Sequence, residues 1–219
     1  MRETSPIRDT AITMEKFVLQ GNHVRLEPLE RTHIEALTAA SAVDPSLYQW
    51  SAVPVGAAAT AAYVESALKA RDAGTAFPFA IVRLGDGAVI GSTRYFDLEH
   101  WPWPADHAQA GRGLPDACEI GYTWYTNSAI RTAANTEGKL LMLTHAFEAW
   151  HMARVCLHTD ERNERSRAAM LRIGCKFEGI LRSHRLAVDL IPRSSARYSI
   201  VAAEWPAVKA ALHLKLQQR

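Results

Sequence analysis

Apolar positions along the chain change period several times, and each change predicts an element. Residues 17–26 (FVLQGNHVRL) are apolar at intervals around Gly21-Asn22 and predict a first strand. Thr32 with Glu35 three residues later is a capping-box pattern ahead of Ile34, Leu37 and Ala40, so a helix is expected from Thr32. A second helix is expected over 58–73, with Val64, Ala67 and Leu68 on one face and Gly74 as its stop. The period then shortens. Residues 77–84 (FPFAIVRL) and 88–96 (AVIGSTRYF) are β-rich runs joined by Gly85-Asp86-Gly87, a hairpin signal. Residues 97–116 are rich in Trp, Pro, His and Gly and predict a long irregular loop.

Beyond the loop, 118–125 (CEIGYTWY) reads as a strand and 132–150 as a helix with Leu140, Leu143, Phe147 and Trp150 on one seam. Residues 154–158 (RVCLH) predict a short strand, and 163–173 a helix stopped by Gly174. Two further strands are expected at 177–186 and 197–201, separated by a turn-prone segment, and a last helix follows Glu204-Trp205-Pro206. This order fits a single α/β domain, a mixed, mostly antiparallel twisted sheet with helices on both faces. Residues 1–16 are polar and unpatterned and are expected to form a flexible arm before a domain spanning 17–219.

Composition narrows the function classes only slightly. Of 219 residues, 48% are hydrophobic and 22% charged, enough apolar material for a sizeable core. The formal net charge of +2 comes without a stripe of Lys and Arg, so no nucleic-acid partner is expected. Cys118, Cys156 and Cys175 are odd in number and widely spaced, which argues against a disulfide framework or a zinc knuckle and favours a reducing cytoplasm. The start of the chain has no apolar signal region and no apolar run is long enough to span a bilayer, so no membrane partner is expected. Nine histidines show no metal-ligand spacing, and no metal is expected.

The informative stretch is 119–174. There the strand EIGYTWY leads through TNSAIRTAA into a helix, an arrangement that can hold phosphates because first-turn amides lack partners and the helix dipole favours negative charge. Ala133 and Ala134 are small enough to let a backbone approach closely, and Arg131 adds a cationic fork. Many helices begin this way for structural reasons alone. Glu119 is likewise either a working carboxylate or an ion-paired strand residue, and Asn163 and Ser166 suit a helix cap.

EIGYTWY…IRTAANTEGKLL followed by RVCLHTDERNERSRAAMLRIGCKFEGILR resembles the GNAT superfamily of acyl-CoA-dependent N-acetyltransferases, and within it the branch that acetylates ribosomal-protein N-termini. That branch has E-φ-G-Y on the strand, with φ apolar. A small-residue loop and A-T-E-A follow (here Asn135-Thr136-Glu137-Gly138), then N-x-x-S (Asn163 to Ser166) and a φ-G-F-like turn (Ile173 to Phe177). The hairpin before the loop and the closing YSI…EWP match as well, so the likeness runs from about Phe17 onward.

The resemblance implies acetyl-CoA as cosubstrate, a primary amine as acceptor, and direct attack in a ternary complex. A homodimer is expected only on the general ground that most soluble oligomers are symmetric dimers. Glu119 is the candidate base, and Ser166 is the candidate donor to the cofactor sulfur on a helix where the superfamily more commonly uses a tyrosine as acid. The resemblance also implies Trp124 and Tyr125 beside the pantetheine arm, Asn163 on its amide, and Arg131, Thr132, Ala133, Ala134, Asn135 and Thr136 at the phosphates. The loop holding His100, Trp101, Trp103 and His107 is expected to border the acceptor. One departure stands out. The family's loop carries two glycines where this chain has Arg131 and Ala133. Alanine serves at negative φ but arginine is disfavoured at positive φ, so the loop is expected to follow a different path with the Arg131 side chain replacing backbone contacts. The missing glycines also motivate an alternative, a non-catalytic acyl-CoA sensor on the same fold.

Overall fold

The continuous apolar run FPFAIV requires cover on both faces, and the fold supplies it. The structure, a computed structural model, describes residues 16–187 and 189–218; the expected arm at 1–15 lies outside the described residues. In chain order the elements are β1 (Leu19–Gln20), β2 (Val24–Pro28), α1 (Ile34–Ala42), α2 (Ala57–Asp72), β3 (Ala76–Arg83), β4 (Val89–Glu99) and β5 (Ala117–Tyr125). Then follow α3 (Ala134–Thr144), β6 (Arg154–Asp160), α4 (Glu164–Arg172), β7 (Lys176–Leu186), β8 (Pro192–Val201) and α5 (Trp205–Gln217).

The eight strands among the described residues join one sheet in the order β1-β2-β3-β4-β5-β6-β8-β7. Every neighbouring pair is antiparallel except β5 with β6. On one face, Leu37, Val64, Ala67 and Leu68 of α1 and α2 pack with Leu29, Ala80 and Trp124. On the other, Leu140, Met142 and Leu143 of α3, Met170 of α4 and Val208 and Leu212 of α5 join Ile81, Tyr95, Ile120, Val155, Leu157 and Tyr198 in the larger core. One sheet between two helical layers is the α/β architecture read from the sequence. The three cysteines are buried free thiols, and no helix among the described residues is long and apolar enough to cross a membrane.

Several boundaries differ from the sequence expectations. The run 17–26 is two strands, because Gly21-Asn22 turns the chain back on itself and Leu19 pairs with Leu26. The cap before α1 involves Glu30, whose amide donates to His33 Nδ1 at 3.0 Å, and a 3-10 turn over Arg31–His33 precedes the helix; Thr32 does not cap it. The helix expected to reach Trp150 is regular only to Thr144 and ends in a π turn over His145–Ala149. That widened turn lies where the His145 ring stacks on Phe17, with 4.1 Å between centroids. β8 begins at Pro192, so the second half of the segment read as turn-prone, 192–196, is strand.

Lys139 is an anomaly of the core. It sits on the buried side of α3, 5% exposed, and its Nζ donates to Thr123 Oγ1 at 2.7 Å. Burial pulls its pKa down to about 7. Between that value and the value of an exposed lysine the unfolded chain binds more protons than the folded one, so this group's contribution makes stability rise with pH across that window. Lys139→Met is expected to stabilise the protein at pH 7 by on the order of a few kcal/mol. Urea unfolding at pH 7 and pH 9.5 should show the gain shrinking at the higher pH; a gain equal at both would sink the assignment.

Candidate active site

β5 and β6 are the parallel pair, and they stay paired over only three positions, Ala117–Glu119 against Arg154–Cys156. Beyond Glu119 they diverge, and the sheet opens into a V at the carboxyl ends of both strands. A bulge re-aims β5 at this point. Arg94 on β4 faces Gly121 and Ser92 faces Trp124, so Tyr122 and Thr123 together oppose Thr93. Tyr122 takes φ 51°, and its ring lies under the Arg94 guanidinium at 3.9 Å. Gly121 is required here: a Cβ would stand 2.7 Å from the Phe96 ring, which fills the space beside Glu119. In open α/β sheets such a parting of parallel strands is where ligands bind.

Each strand of the V delivers the chain into a helix N-terminus. After β5 the loop 126–133 leads into α3. Thr132 Oγ1 donates to Ala129 O at 2.7 Å and accepts from the Ala134 amide at 3.2 Å, so this hydroxyl shapes the loop. Ala133 takes φ −65°, as alanine should, and its carbonyl accepts from the Glu137 amide. The amides of Asn135 and Thr136 lie in the helix's first turn, where intrahelical acceptors are lacking. Arg131 corrects the expectation drawn from its side chain: it adopts φ 62°. The loop therefore keeps a glycine-like backbone path with an exposed arginine in it, because a single left-handed residue costs only about 1–2 kcal/mol. Arg131→Gly is expected to raise stability by roughly 0.5–1 kcal/mol by removing that strain. Arg131→Ala should give no such gain, and thermal melts of the two variants separate backbone strain from loss of the side chain.

Other members of the expected cofactor set are placed as follows. Trp124 turns its ring away from α3 and packs edge-on to Tyr48, 5.8 Å between centroids, within the core under α1 and α2. Only its backbone borders the V. Tyr125 points its ring toward α3, where a Cβ on Gly138 would come 3.0 Å from the Tyr125 hydroxyl. That close approach explains glycine at a position where the resembling family has alanine. Across the V, β6 leads into α4. Asn163 is its N-cap, with Oδ1 accepting from the Ser166 amide at 3.0 Å, while the half-buried Ser166 hydroxyl stands at the helix's first turn. The 45–50 segment reaches this corner, with the Arg162 guanidinium over the Trp50 ring at 4.2 Å.

Glu119 marks the point where the strands part. It is 7% exposed, and its carboxylate lies in ion-pair contact with His158 Nδ1. His158 follows Cys156, the register partner of Glu119, by two residues and therefore shares its face of the sheet. Both line a cavity of about 250 Å³ together with Asp97, Glu99, His184 and Arg185. His184 meets the His158 ring edge-on at 5.1 Å, and burial followed by the like charge of His158 lowers its pKa. His158 was not singled out in the sequence; the available signal was its two-residue offset on a strand parallel to EIGY. The 97–116 loop contributes its stem to this cavity, but its aromatics are engaged elsewhere. Asp116 accepts from the Trp101 amide, from Trp103 Nε1 and from Arg112, and Trp103 stacks on His107.

Glu137, part of the N-T-E-G motif, does not face the V. Its carboxylate accepts from the amides of Asn22, His23 and Val24 at 2.8, 2.6 and 2.7 Å, clamping the first turn of α3 to the β1–β2 hairpin.

Residues 23–176 match the family model of the acetyltransferase (GNAT) domain. Among solved structures, a GCN5-related N-acetyltransferase from Brucella melitensis is similar at 26% identity and TM-score 0.78, over 92% of this chain and 86% of that one. A protein from T. thermophilus described as an acetyltransferase is 32% identical, TM-score 0.74, over 93% and 100%. Mycobacterium smegmatis RimJ, solved with CoA-disulfide, shares the fold at 21% identity and TM-score 0.70, with 88% of each chain covered. No curated protein matches. With the GNAT domain model covering most of the described chain and the split parallel pair in place, the chain belongs to the GNAT family of acetyltransferases.

Proposed function

We infer that this acetyltransferase moves the acetyl group of acetyl-CoA onto a primary amine by direct attack, without an acyl-enzyme. The observation that carries the reading is Glu119, a buried carboxylate at the fork of the V, oriented by His158 and open to a cavity that can admit an acceptor. Attack forms the N–C bond while the C–S bond breaks, and the amine must give up a proton. Glu119 takes that proton, directly or through a water. Ser166, on the opposite wall, donates a hydrogen bond to the departing sulfur. The α3 N-terminus, with the amides of Asn135 and Thr136 and the Arg131 guanidinium, receives the phosphates, and the β5 backbone at Trp124 and Tyr125 runs beside the pantetheine arm. Asn163 keeps its Nδ2 for the pantetheine amide while Oδ1 caps α4. The sensor alternative rested on the missing loop glycines, and Arg131 at φ 62° removes that ground.

A thiol-release assay with acetyl-CoA over peptide N-termini, amino acids, polyamines and aminoglycosides tests the reading, with mass spectrometry locating the acetyl group on nitrogen. Turnover of one amine class is expected. A melting temperature unmoved by acetyl-CoA, with no thiol released, would overturn it. In the same experiment Arg131→Gly and Arg131→Ala should both weaken coenzyme A while leaving a phosphate-free pantetheine analogue unaffected. Equal loss for both ligands would rule out the phosphate contact.

A further inference from the structure

The β7–β8 hairpin carries an electrostatic cost that the fold compensates only in part. Arg185 on β7 and Arg193 on β8 stand directly opposite each other in the antiparallel register. Like charges so placed destabilise a sheet. Asp97 answers part of this, with its Oδ2 2.8 Å from Arg185 Nη2, yet Arg185 Nε is buried with no acceptor among the described residues. Arg193 is half-buried, its guanidinium makes no hydrogen bond or ion pair among the described residues, and burial lowers its pKa. The carboxylates within its electrostatic reach, Asp160 and Glu119, are already taken. Asp160 holds the Arg162 guanidinium through two contacts of 2.9 and 2.7 Å, and Glu119 holds His158. Two residues along the same face of β8, Ser195 is wholly buried and its hydroxyl has no partner among the described residues. Three unsatisfied donors thus gather on one side of the hairpin, and Arg185 lines the same cavity as Glu119 and His158.

Buried donors left without acceptors cost free energy, and clustering them beside an unpaired cation is the layout of an anion subsite. We propose that Arg193, Arg185 and Ser195 bind a carboxylate that the acceptor carries close to its attacking amine. The inference rests on the acetyl-transfer reading above and narrows it: the preferred acceptor is an amine flanked by a negative charge, not a polyamine or an aminoglycoside. The carboxylate can belong to an acidic second residue of a peptide or to a free amino acid.

Equilibrium binding to the CoA-saturated protein tests this without requiring turnover. The probes are C-terminally labelled peptides with Ser at position 1 and Glu, Gln or Lys at position 2, together with free amino acids and their α-amides. Wild type should bind the Glu peptide about tenfold more tightly than the Gln peptide, with Lys weakest, or an amino acid about tenfold more tightly than its amide. Whichever contrast appears names the source of the carboxylate. Arg193→Gln should abolish the preference while leaving the neutral ligand's Kd within about twofold, and Arg193→Lys should restore part of it. Arg193→Gln should also melt no lower than wild type, since it removes a like-charge pair. No discrimination by wild type in either series overturns the subsite, as does a preference that survives Arg193→Gln. Selective binding without acetyl transfer would uphold the subsite and refute the transferase reading, and turnover without selectivity would do the reverse.

Discussion

Replacing Glu119 with glutamine is expected to lower kcat/KM for amine acetylation by roughly 10²- to 10⁴-fold, the range a positioned general base supplies. That corresponds to about 3–5 kcal/mol of barrier. Glutamine keeps the shape of the side chain and can still pack against His158, so the fork of the V should survive. What the amide cannot do is take a proton. The loss should fall on kcat with acetyl-CoA affinity unchanged, because Glu119 lines the cavity proposed for the acceptor and lies apart from the α3 N-terminus. An acceptor whose amine is already largely unprotonated at the assay pH should recover much of the lost rate in the variant, since it needs less help from a base. Structural damage would not be rescued in that way. Full activity in Glu119→Gln with the ordinary acceptor would place the base elsewhere.

Local features were readable from the chain. The face of α2 with Val64, Ala67 and Leu68, its stop at Gly74, the β3–β4 hairpin and the Asn163 cap each depend on residues a few positions apart, and each stands as expected. Glu119 stands out as a candidate because its residue type and its strand point to it together. Its contact with His158 is not legible, because β5 and β6 meet only after α3 intervenes, and RVCLH alone carries no sign that its histidine faces the carboxylate. Arg131 misled for an energetic reason. The preference of about 1–2 kcal/mol against positive φ points to another loop path, but the loop's closure through Thr132 and the seating of α3 outweigh it. Trp124 looked like part of a cofactor wall, but the bulge at Tyr122 and Thr123 decides where the following side chains point, and bulges have no reliable signature in one sequence. The facing arginines of the β7–β8 hairpin emerge only once the register sets Arg185 against Arg193.

Glu137 illustrates a motif residue whose contribution lies in stability, and its removal should produce the largest loss of fold stability. Its carboxylate is 4% exposed and answers three backbone amides of the β1–β2 turn. Hydrogen bonds to a charged group contribute about 1.5–3 kcal/mol each, and they are not additive when they share one acceptor. Glu137→Ala is therefore expected to cost about 3–5 kcal/mol, a fall in melting temperature on the order of 10 °C for a chain of this size. Glu137→Gln should recover little of this, because its NH₂ group would face one of the three donors. Gly21 tests the same contact from the other side: a Cβ there would stand 2.3 Å from Glu137 Cδ, so Gly21→Ala should also destabilise strongly. In the double variant the shortened side chain makes room for that methyl group, and the two losses should add to clearly less than their sum. Coenzyme A affinity should fall alongside, since the clamp sits in the same first turn of α3 as the Asn135 and Thr136 amides. Strict additivity in the cycle, or a Glu137→Ala protein that melts like wild type, would mean that the β1–β2 hairpin does not hold α3 in place.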